Sequence, residues 1–89
     1  ALDWGLINEV VPADKLMSRV MEVAHQLAKG PTLAYGEAKR LVVDSLSNGL
    51  ETQMELETRA ISGLARASKD TQEGIAAFVE KREPVFTGN

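Results

Sequence analysis

Only one stretch of this chain reads as a β-strand, and a lone strand cannot make a sheet. Leu6-Ile7-Asn8-Glu9-Val10-Val11-Pro12 is rich in β-branched residues and ends on proline, which is the composition of a strand. Its backbone donors and acceptors need a neighbour that the rest of the sequence does not supply. Before it, Ala1-Leu2-Asp3-Trp4-Gly5 reads as the last turn of a helix closed by Gly5, because glycine alone enters the left-handed conformation without steric cost. A strand without a sheet and a helix without a start suggest a chain cut from something longer. The expected division is 1–12, a helix end and short strand, and 13–89, a helical region.

After Pro12 the pattern is helical throughout. Leu16, Val20, Val23 and Leu27 recur at steps of three and four, with Met17, Met21, Ala24 and Ala28 widening the stripe, and Gly30-Pro31 stops it. A second helix is predicted from Pro31 or Thr32 to Asn48-Gly49, with Ala34, Ala38, Leu41, Val42 and Ser45 on one face. Gly36 weakens it unless a close neighbour uses the missing side chain. A third is predicted from an Asn48 cap paired with Glu51, burying Leu50, Met54, Ile61, Leu64 and Ala65; a fourth from an Asp70 cap paired with Glu73, burying Ile75, Phe78 and Val79 before Pro84. The fold class expected is therefore mainly α, about four helices plus one short strand.

Composition narrows the function. Lys and Arg total 10 against 13 Asp and Glu, a net charge of −3, and the isoelectric point is near 5.1. A nucleic-acid binder gains affinity by neutralising phosphates and carries a basic stripe, so nucleic acid is not an expected partner. The chain has no cysteine, which removes disulfides and thiolate metal sites and fits a reducing, cytoplasmic setting. Its longest uncharged run, Gly30 to Gly36, falls far short of the roughly 20 residues of a membrane span, so no membrane partner is expected.

Local chemistry is sparse. His25, the single histidine, stands off its helix's apolar stripe, where a solvated side chain outweighs a general base. One histidine without cysteine cannot build the usual zinc sets, and the acidic run Glu51, Glu55 and Glu57 reads as a solvated face before it reads as a cation site. No serine sits in a nucleophile elbow and no glycine-rich phosphate loop exists. Lys81-Arg82, at the end of the last predicted helix, has two readings: cations complementing the helix dipole, or an anion grip. Spacing alone favours the first.

A resemblance changes that balance. Residues 68–88, with Ser68, Asp70, Glu73-Gly74, Ala77-Phe78, Glu80-Lys81-Arg82, Pro84, Phe86 and Gly88, resemble the C-terminal signature of the crotonase family, the enoyl-CoA hydratase/isomerase superfamily. Residues 1–12 are similar to that family's A-x-x-W-G-L-V-N-x-V-V-P segment, and Leu27-Ala28-Lys29-Gly30-Pro31 with Lys39 to its L-A-x-G-P and following lysine. The resemblance implies the C-terminal helical part of an α/β spiral fold, which forms a homo-oligomer, a trimer or dimer of trimers. It implies a parent enzyme, a lyase or isomerase acting on acyl-CoA thioesters with no tightly bound cofactor or metal. In that family backbone N–H groups polarise the thioester carbonyl and upstream acids move protons. No catalytic residue falls in this chain, which is expected to be inactive alone. By the same likeness Phe78 lines the acyl or adenine side of the coenzyme and Lys81 meets a CoA phosphate. Arg82 is a weaker candidate, equally explained by an ion pair. The competing readings are a free-standing helical interaction module with no CoA link, and a crotonase-like paralogue without catalysis.

Overall fold

The computed structural model describes residues 1–89. Four helices follow one another: α1 Leu16–Ala28, α2 Thr32–Asp44, α3 Leu50–Ala67 and α4 Lys69–Glu80, with a 3₁₀ turn over Ala13–Lys15 leading into α1. No strand forms. Leu6 to Pro12 has the side chains of a strand but no partner for its backbone, and it lies instead along α1. Arg19 Nε donates to both Glu9 carboxylate oxygens at 3.0 and 2.9 Å, and Val11 lines a hollow with Leu16, Val20 and Val23. At residues 1–6, Gly5 N–H donates to Leu2 O and Leu6 N–H to Ala1 O. This is the paired bonding of a Schellman turn with Gly5 at φ 71°.

The helices end where local chemistry stops them, with some differences from expectation. α2 stops at Asp44, because Ser45 and Ser47 turn their hydroxyls onto the carbonyls of Val42 and Asp44 and offer the backbone an alternative to the helix. The N-cap of α3 is Gly49, without a side-chain cap; Asn48 donates to Gln53 Oε1 instead. Gln53 in turn donates to Leu41 O at 3.1 Å, a second bond to a carbonyl in the last turn of α2 that already accepts from Ser45 N–H. α3 and α4 meet at a single extended residue, Ser68, whose Oγ accepts from Thr71 N–H. Ser68, not Asp70, is thus the cap of α4.

Helices α2 and α3 pack together, and α3 touches α4. The packed line of α3 is Gln53, Leu56, Ala60 and Leu64, which shares only Leu64 with the expected face, while Leu50, Met54, Ile61 and Ala65 stay exposed. On α4 the buried side chains are Asp70 and Ala77, while Ile75, Phe78 and Val79 are exposed. Methionines 17, 21 and 54 are exposed as well, and no side chain comes within 4 Å of where a Cβ on Gly36 would lie. Only four of the 89 residues are buried. The radius of gyration, 16.6 Å, exceeds the roughly 12 Å of a compact domain of this length. The apolar stripes are real helical faces, but the chain covers that of α1 only in part, through the segment before it, and leaves the outer side of α4 bare. No helix is long and apolar enough to cross a membrane.

Candidate functional site

The polar bonds of the molecule concentrate around α4 and the segment that follows it. Asp70 is 3% exposed. One of its carboxylate oxygens accepts from Thr87 N–H at 2.7 Å and from the Thr87 hydroxyl at 3.3 Å, and the other from Gly88 N–H at 2.8 Å. Ser68 Oγ and Asp70 N–H both donate to Asn89 O at 3.1 Å. The end of the segment is thereby folded back onto the first turn of α4. Phe86 lies over Gly74, where an added Cβ would stand 3.6 Å from the ring.

A second clamp closes the other end of α4. Glu73 accepts from Arg82 through both oxygens, Nη1 at 2.6 Å and Nη2 at 2.9 Å, and from Val85 N–H at 2.8 Å. Arg82 Nε also donates to Glu80 at 2.6 Å. The Arg82 guanidinium first, then the Val85 N–H, hold the Glu73 carboxyl down to about 2, well below its ordinary 4.5. The same carboxylates raise the Arg82 guanidinium further above its ordinary value. Arg82 is an ion-paired structural residue.

Between these clamps lies Lys81, the one non-glycine residue with positive φ, at 57°. Its N–H donates to Phe78 O and the Arg82 N–H to Ala77 O at 3.1 Å, so Lys81 occupies the left-handed position of a Schellman turn that glycine ordinarily fills. Lys81 forms no ion pair; its Nζ stands 4.7 Å from the centroid of the Phe78 ring. Phe78, with Pro31, Leu33, Leu64, Ile75 and Phe86, lines an apolar groove of about 380 Å³ between the start of α2 and α4. The two residues singled out from sequence thus lie against each other, Phe78 lining the groove and Lys81 outside its lining. His25 is exposed on α1 and outside it. Glu55 pairs with Arg59, and Glu57 accepts from Gln53. No three His, Asp or Glu side chains stand close enough to hold a metal ion. Sequence reasoning missed Asp70 and Glu73 as anchors of the last segment, since both read as local caps.

The enoyl-CoA hydratase/isomerase family model matches residues 1–89, the whole chain. The chain belongs to the enoyl-CoA hydratase/isomerase family. It is 40% identical over 88 residues to a 1,2-epoxyphenylacetyl-CoA isomerase of Escherichia coli K12, covering 99% of this chain and 33% of that protein. With a 2,3-dehydroadipyl-CoA hydratase of the same organism it is 33% identical over 84 residues, covering 94% and 32%. Among solved structures it superposes on the enoyl-CoA hydratase subunit I of Geobacillus kaustophilus HTA426 with a TM-score of 0.92 at 38% identity, and on the enoyl-CoA hydratase of Bacillus anthracis at 0.86 and 32%. Each superposition covers all of this chain and 34% of the other. The family chain described here therefore spans about a third of the length of the relatives it matches. This corrects the expectation of a specifically C-terminal region. The family match runs from residue 1 to 89 and covers 33% of the first relative, which supports membership and not that placement. Membership over the full chain also disfavours the free-standing interaction module.

Proposed function

We propose that this family chain supplies a coenzyme A-contacting edge of an enzyme acting on acyl-CoA thioesters, with the Lys81 ammonium on a CoA phosphate and Phe78 against the adenine or acyl portion. The observation that carries the reading is the conformation of Lys81. A side chain placed in a left-handed turn costs stability relative to glycine, and an unpaired ammonium there gains nothing from an ion pair that would offset it. A phosphate contact gives that side chain a reason to be present. The setting suits the ligand: an exposed cation beside an aromatic ring that lines an apolar groove matches a molecule that is anionic at one end and apolar at the other. Both relatives described above are named for CoA thioesters, one as an isomerase and one as a hydratase.

In this reading the whole protein is an enzyme of the hydratase/isomerase class needing no tightly bound cofactor. The 89 residues alone are inactive, because the groove brings together no acid–base pair. The exposed apolar side chains of α1 and α4 support a homo-oligomer, a trimer or dimer of trimers, in which apolar helix faces are covered. Calorimetric titration of CoA into the intact polypeptide that carries residues 1–89 tests the site. Lys81→Ala is expected to weaken CoA about tenfold or more, the scale of a charge-assisted phosphate contact. Unchanged affinity removes Lys81 from the site. Turnover of crotonyl-CoA by the isolated chain would refute its inactivity.

A further inference from the structure

The geometry points to Glu73 as a positioning residue for Lys81, acting through Arg82, in the CoA contact proposed above, on which this inference rests. Glu73 makes no hydrogen bond or ion pair with Lys81 and does not itself line the groove. It lies two turns before the end of α4, and its two oxygens hold three donors that all follow Lys81: Arg82 Nη1 and Nη2 on the next residue, and Val85 N–H four residues on. Backbone bonds from Lys81 and Arg82 to Phe78 and Ala77 close the turn from the helix side. With both flanks fixed, a residue that would relax out of the left-handed region is kept in it, and its ammonium is kept over Phe78 at 4.7 Å.

A lysine has several rotatable bonds, and an ordered ammonium binds an anion without first losing that freedom. The bidentate pairing matters more than the charge, because only a fork held at both ends fixes the direction in which the chain leaves the helix. Loss of Glu73 would free Arg82 and the Val85 N–H together. The expected consequence is weaker binding of the phosphate-bearing ligand, with its phosphate-free part unaffected.

The experiment measures affinities for CoA and for pantetheine, together with amide hydrogen exchange over residues 81–85, in the intact polypeptide. The variants are Glu73→Gln, Arg82→Lys, Lys81→Ala and the double variant Glu73→Gln/Lys81→Ala. Glu73→Gln is expected to weaken CoA by about threefold to tenfold, to leave pantetheine unchanged and to speed exchange at the Arg82 and Val85 amides. Arg82→Lys, which keeps the charge but not the fork, should fall between wild type and Glu73→Gln. In the Lys81→Ala background the Glu73 substitution should no longer affect CoA. Equal loss in both backgrounds, a parallel loss of pantetheine affinity, or unchanged exchange over 81–85 overturns the positioning role. If instead Lys81→Ala alone leaves CoA affinity intact, the CoA contact itself falls, whatever the exchange shows.

Discussion

Replacing Asp70 by alanine should release the last residues of the chain from α4. The carboxylate is 3% exposed and takes two backbone N–H groups at 2.7 and 2.8 Å, with a longer hydroxyl bond at 3.3 Å. Hydrogen bonds to a charged group contribute about 1.5–3 kcal/mol each when solvent cannot replace them. Thr87 is exposed and Gly88 half-buried, so water recovers part of the loss once the segment lifts away, and the two strong bonds together are worth about 2–4 kcal/mol. At 1.4 kcal/mol per factor of ten, the Thr87 and Gly88 amides should exchange roughly 30- to 700-fold faster. Hydrogen exchange on the intact polypeptide reads this directly. Asp70→Asn separates charge from shape: its amide can accept with one oxygen but presents N–H groups where an N–H donor must be met, so it should recover little. Unchanged protection at Thr87 and Gly88 in Asp70→Ala would refute the reasoning, because the segment would then be held by something other than this carboxylate.

Two further outcomes follow from the turn at the end of α4. Lys81→Gly and Lys81→Ala both remove the ammonium, so their difference isolates the backbone: the glycine variant should melt about 2–4 °C higher, the equivalent of about 1 kcal/mol in a polypeptide of roughly 150–250 residues; equal melting would show that the left-handed position is unstrained. Glu73, held down to about 2 by Arg82 and the Val85 N–H, should contribute stability that is full above its ordinary value near 4.5 and fades as the pH falls towards 2, since the unfolded chain takes up the proton first. The melting difference between wild type and Glu73→Gln should therefore be constant above that window and shrink within it. A difference that grows with acid would have the wrong sign.

The sequence made some of this structure legible and hid the rest for identifiable reasons. The number of helices follows from apolar spacing and from Gly30-Pro31 and Asn48-Gly49, which are local signals. The choice of face does not. α3 carries one line through Leu50, Met54 and Ile61 and another through Leu56, Ala60 and Leu64, and contact with α2 decides between them. Residues 6–12 illustrate the same limit: β-branched composition records what a segment could do, but pairing is non-local and none is available. The caps failed for a subtler reason. Ser68 and Asp70 are both good capping residues, and Asp70 is drawn away by donors 17 and 18 residues later. Phe78 and Lys81 are singled out through the family resemblance and not by spacing, which alone favours a helix-dipole role for Lys81. The left-handed turn beneath Lys81 is not legible, because local rules reserve it for glycine.

Three of the four buried residues, Ser68, Asp70 and Ala77, lie where the polar bonds concentrate, while large apolar side chains of α1 and α4 stay exposed, and that difference bears on the site. The environment of those apolar side chains depends on whatever covers them. The turn at Lys81 is defined by bonds within residues 73–85, from Glu73, Phe78, Ala77 and Val85, none of which needs an outside partner. The last segment is tied down separately by Ser68 and Asp70. A covering surface can therefore change how much of Phe78 a ligand reaches, but the direction of the Lys81 backbone is already fixed by the chain itself. Under the proposed coenzyme A contact, substitutions at Glu73 and Lys81 should therefore be read first as changes in phosphate recognition, and substitutions along Ile75 and Val79, on the exposed side of the same helix, as changes in what covers it.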